Sequence, residues 1–412
     1  LNENIVVVGG GPVGAFSSYF LRKSGNSVKW ISGKKITNSA AWSSAGLVGP
    51  GLSFPLPDYE GLKGNMKWLF RRDSPVRLGM GFMLSNLSWF SAYSRSRHKI
   101  LSESGKKSQY MLTTGSMKIL DEFVENYSMG IDIVHTGLLQ TFKTQEEMTK
   151  ISEELRKDGT VKFEVLLPEQ CLEREPALGT KKLSGIYYPE ESSLNPRKLL
   201  SEMRRINRES GIEVIENDIE SVKMNGSSVK HVVSGGDAIK GDEFLISSGM
   251  GSTVIASMFG LKLPLAPGWG HSITYDDVKE RPHMPVEFSE DGVYAIPMGN
   301  SLKATSFFEF RGQSFKPPAE RFEYLKRVMS DKFKFLDGIE PASKSSGMRP
   351  CTPDSLAILG KSSKFTNLFW ATGNCRQGVM HSGEMGRLAS ILIDGGKIPE
   401  EFDLFSPSRF SV

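Results

Sequence analysis

Short β-branched apolar runs alternate along this chain with glycine turns and with stretches of helical periodicity. Ile5-Val6-Val7-Val8 is entirely apolar, as a strand buried on both faces requires. It runs into Gly9-Gly10-Gly11-Pro12-Val13-Gly14, which fits G-x-G-x-x-G at Gly9, Gly11 and Gly14. Over 15–23, Phe16, Tyr19 and Phe20 fall at i, i+3 and i+4 on one helix face, and Gly25 is the expected C-terminal cap. Val28-Lys29-Trp30-Ile31 predicts a second strand. This succession predicts a dinucleotide site. Gly9 permits the tight turn, Gly11 lets backbone approach a pyrophosphate, and Gly14 lets the helix pack on the strand. Pro12 and Val13, within that glycine turn, are expected on the cofactor, and the positive end of the helix faces the phosphates.

The second strand of such a unit normally ends in Asp or Glu, which binds the ribose hydroxyls. Here Ser32 stands there, followed by Gly33, Lys34 and Lys35. A serine can bond a ribose hydroxyl, more weakly than a carboxylate. The lysine pair could instead read a 2′-phosphate, which would favour NADP. Spacing leaves both readings open.

The same pattern returns twice. Phe244-Leu245-Ile246-Ser247-Ser248-Gly249 and Asn367-Leu368-Phe369-Trp370-Ala371-Thr372-Gly373 each read as a strand ending in a glycine turn. Gly378 leads into a predicted helix over 379–393, closed by Gly395-Gly396. Between these motifs, 293–297 and 302–308 alternate as strands do. Returns so far apart suit a flavin lying across one sheet better than a contiguous nicotinamide domain.

Composition narrows the class. The 412 residues hold 51 Lys+Arg and 47 Asp+Glu, a net charge of +4, too small to suggest nucleic acid. Lys34-Lys35 and Arg71-Arg72 read as solvated surface. Cys171, Cys351 and Cys375 are widely spaced and odd in number, so a disulfide framework is not expected and a reducing, cytoplasmic setting is. The six histidines show no metal-ligand spacing, and no metal is expected. No apolar run reaches the roughly 18 residues of a membrane span, and the N-terminus lacks the basic region of a secretory signal. Residues 76–93 are apolar and aromatic, with Arg95, Arg97, His98 and Lys99 following. They could form an interfacial helix that meets a membrane quinone, a buried helix over the active site, or a subunit contact.

Several segments, in this order, resemble the D-amino acid oxidase-like flavoproteins, especially the bacterial-type D-amino acid dehydrogenases. They are Gly9 to Gly14, 39–46, 67–75, Gly347-Met348-Arg349-Pro350-Cys351-Thr352-Pro353-Asp354, and 371–386. The resemblance implies an α/β (α+β) fold: a Rossmann-like FAD-binding domain interleaved with a mixed-sheet substrate domain. The expected partition is 1–48, 190–258 and 340–412 for FAD, and 49–189 with 259–339 for substrate.

It also implies residue roles. Ser32, Gly33 and Lys34 would lie on the cofactor, as would Ser44, Ala45, Gly46, Ile219, Ser248, Gly249 and Gly373. Arg349 would clamp the substrate carboxylate and touch the flavin, a task suited to a planar guanidinium. Tyr294 would donate to the other carboxylate oxygen. Gly378 and the helix behind it would present positive charge to the flavin pyrimidine edge, with Arg376, Gln377, Val379 and Met380 in the same turn and His381 beside them. Relatives usually carry a basic residue where Trp269 stands, and His271 also departs from the pattern. His271 is a candidate catalytic residue, although a lone histidine is more often structural and the chemistry demands no side-chain base. The cysteine that holds FAD covalently in some relatives matches Gly347 here, so FAD is expected to be non-covalent.

The expected activity is FAD-dependent oxidative deamination of an amino or imino acid, by hydride transfer from the α-carbon to flavin N5. A dehydrogenase is expected rather than an oxidase; the sequence leaves the electron acceptor open, a quinone or dye-type acceptor being one option. Competing readings are a secondary-amine enzyme acting on proline or sarcosine, and a flavin-binding subunit of a larger dehydrogenase. Partners are limited to small molecules, with peripheral membrane contact left open.

Overall fold

A computed structural model describes residues 3–34, 39–52, 76–180 and 182–412. Segment 67–75, Arg71-Arg72 and Lys35 lie outside the described residues.

Two large sheets organise the chain. The first has six strands in the order Ile358–Lys361, Leu368–Thr372, Glu243–Ile246, Asn4–Val8, Ser27–Ile31, Glu213–Ile215. All pairings are parallel except that of the Ile358–Lys361 edge. Its central strands are apolar on both faces because both faces are covered. Ile5, Val7, Trp30, Leu245 and Phe369 pack into one core; Val6, Val8, Ile31, Phe244, Ile246 and Trp370 pack into the other. The period of two in strand side chains produces that split.

Helices Pro12–Lys23 and Ser382–Ile393 lie against each other over the first core, close enough to exclude side chains at the crossing. A Cβ at Gly386 would stand 2.6 Å from Phe16 Cβ and 2.7 Å from the Ser17 nitrogen. Helix Pro12–Lys23 starts three residues before the 15–23 expected from periodicity, since proline at its first position suits a helix start.

The C-terminal helix starts later than expected. Residues 375–377 form a 3-10 turn, with Cys375 at φ 45°, and the first i→i+4 bond of the helix runs from Met385 N to His381 O. The chain is bent there because Asn374 bridges to Cys351 and Cys375 is disulfide-bonded to Cys351. That bond corrects the expectation drawn from cysteine spacing. The fold closes a 24-residue separation to a Cα–Cα distance of 4.3 Å, and spacing carries no trace of it. Cys171 is the free thiol, fully buried.

The second sheet has nine strands and is mixed. Ala266–Tyr275, Ser301–Phe310 and Ser343–Cys351 form its long antiparallel part, and Val286–Phe288 pairs in parallel with Leu138–Phe142. Helix Ala319–Lys332 covers one face through Leu325, Val328 and Met329 against Ile273, Leu302 and Ala304.

The aromatic stretch 76–93 forms strand Val76–Leu78, helix Met80–Ser85 and the start of helix Leu87–Leu101. Trp89, Phe82, Phe90 and Tyr93 pack with Phe308 and Phe310 of the large sheet. No helix among the described residues is long and apolar enough to cross a membrane.

The helix crossing yields a stability prediction. Gly386→Val should destabilise the protein by about 1–3 kcal/mol through overpacking, read as a lower urea midpoint at saturating FAD. An unchanged midpoint would show that the crossing tolerates a side chain.

Candidate active site

A cavity of about 820 Å³ runs from the C-terminal ends of the first two strands to the floor of the nine-stranded sheet. Its first end is made of backbone held at near-contact distance. The Trp30 indole donates to Gly9 O at 2.8 Å, and a Cβ at Gly9 would meet the Ser247 carbonyl carbon at 2.5 Å. A Cβ at Gly10 would overlap Ser32 O, and one at Gly14 would overlap Gly9 O. Gly11 differs: a Cβ there meets nothing within 4 Å. The three outer glycines are spent on packing, while Gly11 leaves an open cradle at the N-cap of helix Pro12–Lys23. That helix end carries no side-chain cap and no acidic residue in its first turn. Such an end attracts an anion such as a pyrophosphate.

Gly9, Gly11, Pro12, Val13, Ser32, Gly33, Ser44 and Ala45 all line the cavity, as do Ile219, Ser248 and Gly249. Gly14, inside the helix, and Lys34, Gly46 and Gly373 do not. Ser32 Oγ accepts from Arg204 at 3.3 Å. A carboxylate missing from the end of the second strand is present nearby in space, because Asp218 lines the cavity and accepts from the Lys34 backbone at 3.2 Å. It comes from a later segment, which is why spacing from the glycine motif misses it.

The other end is polar and deep. Arg349, Tyr294, Arg376, Gln377, Gly378, Val379 and Met380 line it. Arg349 lies across Gly270 of the neighbouring strand, where a Cβ would overlap the guanidinium. Its Nη1 donates to Phe307 O at 2.9 Å, and Phe308 lies 5.3 Å beneath it. Burial, and Arg376 nearby, lower its pKa to about 10. Glu287, opposite Tyr294 on the adjacent strand, also lines the cavity and was not anticipated. An acid between Val286 and Phe288, both fully buried, was the signal available. Lys303, likewise not anticipated, is buried and donates to Ser44 O at 2.6 Å, fixing the loop that carries Ser44 and Ala45.

The expectation that His271 is a catalytic residue needs correction. Trp269 and His271 flank Gly270, so alternation turns them to the opposite face of the sheet from the cavity. Trp269 Nε1 donates to Gly312 O at 3.2 Å. His271 is fully buried, 2.8 Å from Ser346 Oγ and 3.9 Å from Glu309 Oε1, among Phe307, Phe315 and Phe322. Burial, then the Arg349 charge, depress its pKa to about 3. His381 is also fully buried and does not line the cavity. Among the described residues no group of side chains could hold a metal ion.

The family model described as "FAD dependent oxidoreductase" matches residues 4–391. The chain belongs to this FAD-dependent oxidoreductase family. It is 27% identical over 419 residues to a D-amino acid dehydrogenase of Agrobacterium fabrum, covering 99% of this chain and all of that one. It is 25% identical, with the same coverage, to a D-amino acid dehydrogenase of Neisseria meningitidis. In fold it resembles glycine oxidase of Geobacillus kaustophilus (TM-score 0.77, 19% identity, 98% of each chain). It also resembles L-proline dehydrogenase of P. horikoshii (TM-score 0.73, 16% identity, 99% and 98% of the chains). As a member of an FAD-dependent family, the protein is an enzyme whose cofactor is FAD. The open cradle at Gly11 is where such a dinucleotide fits this chain.

Filling the cradle is a direct check. Gly11→Val should weaken FAD binding by at least about tenfold without changing the far-ultraviolet circular dichroism. His271 predicts a pH effect of definite sign. Its depressed folded pKa means the unfolded chain binds more protons between about pH 3 and 6.5, so its contribution is lost as pH falls through that window. Acidification from pH 7 to 5 should therefore cost wild type about 2 kcal/mol more than His271→Asn, measured by urea unfolding at both pH values.

Proposed function

We propose that this chain oxidatively deaminates an α-amino acid, in the manner of a D-amino acid dehydrogenase. The observation that carries the reading is Arg349. A partly buried guanidinium at the end of the cavity, with one nitrogen tied to Phe307 O, is oriented, and among the described residues no carboxylate forms a salt bridge with it. A substrate carboxylate supplies one, with charge-assisted hydrogen bonds. Relatives named D-amino acid dehydrogenase match this chain end to end, which supports the substrate class.

In this scheme Arg349 fixes the substrate carboxylate and the Tyr294 ring walls the site, so that the α C–H turns toward the cofactor. Bound FAD supplies the two-electron acceptor for the hydride. The amine loses a proton, and the imino product hydrolyses in water to a 2-oxo acid and ammonia. Catalysis is largely positioning; His271, on the opposite face of the sheet, takes no part. We further propose that FAD is held without a covalent bond, Cys375 at the cavity wall being already bonded to Cys351. The segments around the six-stranded sheet would form the FAD domain, and the nine-stranded sheet the substrate floor.

Arg349→Lys tests the clamp. It keeps a cation but loses the planar fork, so KM for the best amino acid should rise roughly 10–100-fold while FAD per chain stays constant. An unchanged KM in dye-coupled assays would remove Arg349 from substrate binding. Proline and sarcosine belong in the same assay as competing substrates.

A further inference from the structure

Glu287 has no part in the scheme above. It sits in strand Val286–Phe288, inside the nine-stranded sheet, with Val293–Met298 on one side and Leu138–Phe142 on the other. Register places it opposite Tyr294 on one neighbour and Gln140 on the other. Directly opposed residues share a face, so three polar side chains form a row across a strand flanked by fully buried Val286 and Phe288. Tyr188 donates to Gln140 Oε1 at 2.8 Å, which leaves Gln140 committed at the far end of the row. Tyr294 donates to the Glu287 carboxylate, and Arg376 attracts it from the turn at 375–377. A carboxylate placed inside a sheet costs several kcal/mol unless its partners compensate it. The cavity-facing side of Glu287 is where a further cation could do so.

We propose that Glu287 is the amine-binding residue: its carboxylate receives the amino group of the substrate while Arg349 holds the carboxylate. The assignment rests on the function proposed above. Amino and carboxylate groups sit on one carbon, so their partners must lie side by side. Tyr294 joins the two, hydrogen-bonded to Glu287 and acting electrostatically on Arg349. Two guanidiniums, Arg349 and Arg376, line this end and repel an ammonium. Among the described residues lining the cavity, the carboxylates are Glu287 and Asp218, and Asp218 lies beside Gly33 at the opposite end. Glu287 therefore selects amino acids over 2-hydroxy and 2-oxo acids, which offer the same carboxylate and no amine.

The groups facing Glu287 are Tyr294, Tyr188 and Arg376, with uncharged Gln140 beside them. Burial, opposed by the Tyr294 hydrogen bond and Arg376, pushes its carboxyl up to about 7. Only the ionised form attracts an ammonium, so amino-acid affinity should fall as pH drops through about 7, while 2-oxo acid affinity should not follow.

The test uses the full FAD-loaded chain and two ligands. One is the amino acid that reduces wild type fastest among D-alanine, D-proline, glycine, L-proline and sarcosine. The other is the 2-oxo acid pyruvate, titrated by its effect on the flavin spectrum. Glu287→Gln should raise the dissociation constant of the amino acid at least tenfold, from anaerobic rapid-reaction data, and remove its pH dependence near 7. Pyruvate affinity and FAD content should stay within twofold of wild type. Equal weakening of both ligands, or of neither, would overturn the assignment alone. Failure of every amino acid to reduce wild type would overturn the function and the assignment together.

Discussion

A partly buried guanidinium is the constraint around which the substrate end is built. Arg349 holds its place only because Gly270 has no side chain, Phe307 offers a carbonyl and Phe308 a ring face. Any side chain at position 270 would take its place. Arg376 adds a second positive charge, and desolvation together with that charge holds the Arg349 pKa below its usual range. The substrate end, with two guanidiniums and the one carboxylate of Glu287, thus carries an excess of positive charge that a carboxylate ligand relieves, and charges in such surroundings interact far more strongly than in water.

The two sheets divide the labour around that charge. The parallel sheet brings three separate stretches of chain, near residues 9, 247 and 372, to one edge, where backbone rather than side chains forms the surface. The mixed sheet provides a floor whose two faces differ. One face is a dry core under helix Ala319–Lys332, and the other opens on the cavity. The alternation that brings Arg349 and Tyr294 to the cavity sends His271 into the dry face, where a neutral ring is favoured. Lys303 ties the floor to the cofactor side through Ser44 O, and the Cys351–Cys375 bond ties the end of the Arg349 strand to the turn bearing Arg376.

Much of this was legible in the sequence because it is local. The Ile5-Val6-Val7-Val8 run, its glycine turn and the helix behind it are set by contacts among near neighbours, and all three appear, the helix starting three residues early. The strands at 243–246 and 368–372 were readable for the same reason. What stayed hidden depends on register. Nothing near His271 tells which face of a fully buried ten-residue strand it takes, since polar and apolar positions there are buried alike. Glu287 becomes notable only when opposite Tyr294, and Asp218 only when its loop reaches Gly33. The disulfide joins residues whose closeness follows from a strand end meeting a turn, and the late start of the C-terminal helix follows from that turn.

The most direct measurement is an anaerobic visible spectrum of the purified, FAD-loaded protein before and after adding amino acids of both configurations. Oxidation of an amino acid at this site predicts that the visible flavin bands bleach with at least one of them. They should stay unchanged with the matching 2-hydroxy acids. Flavin bands that persist with every amino acid and secondary amine would contradict the account.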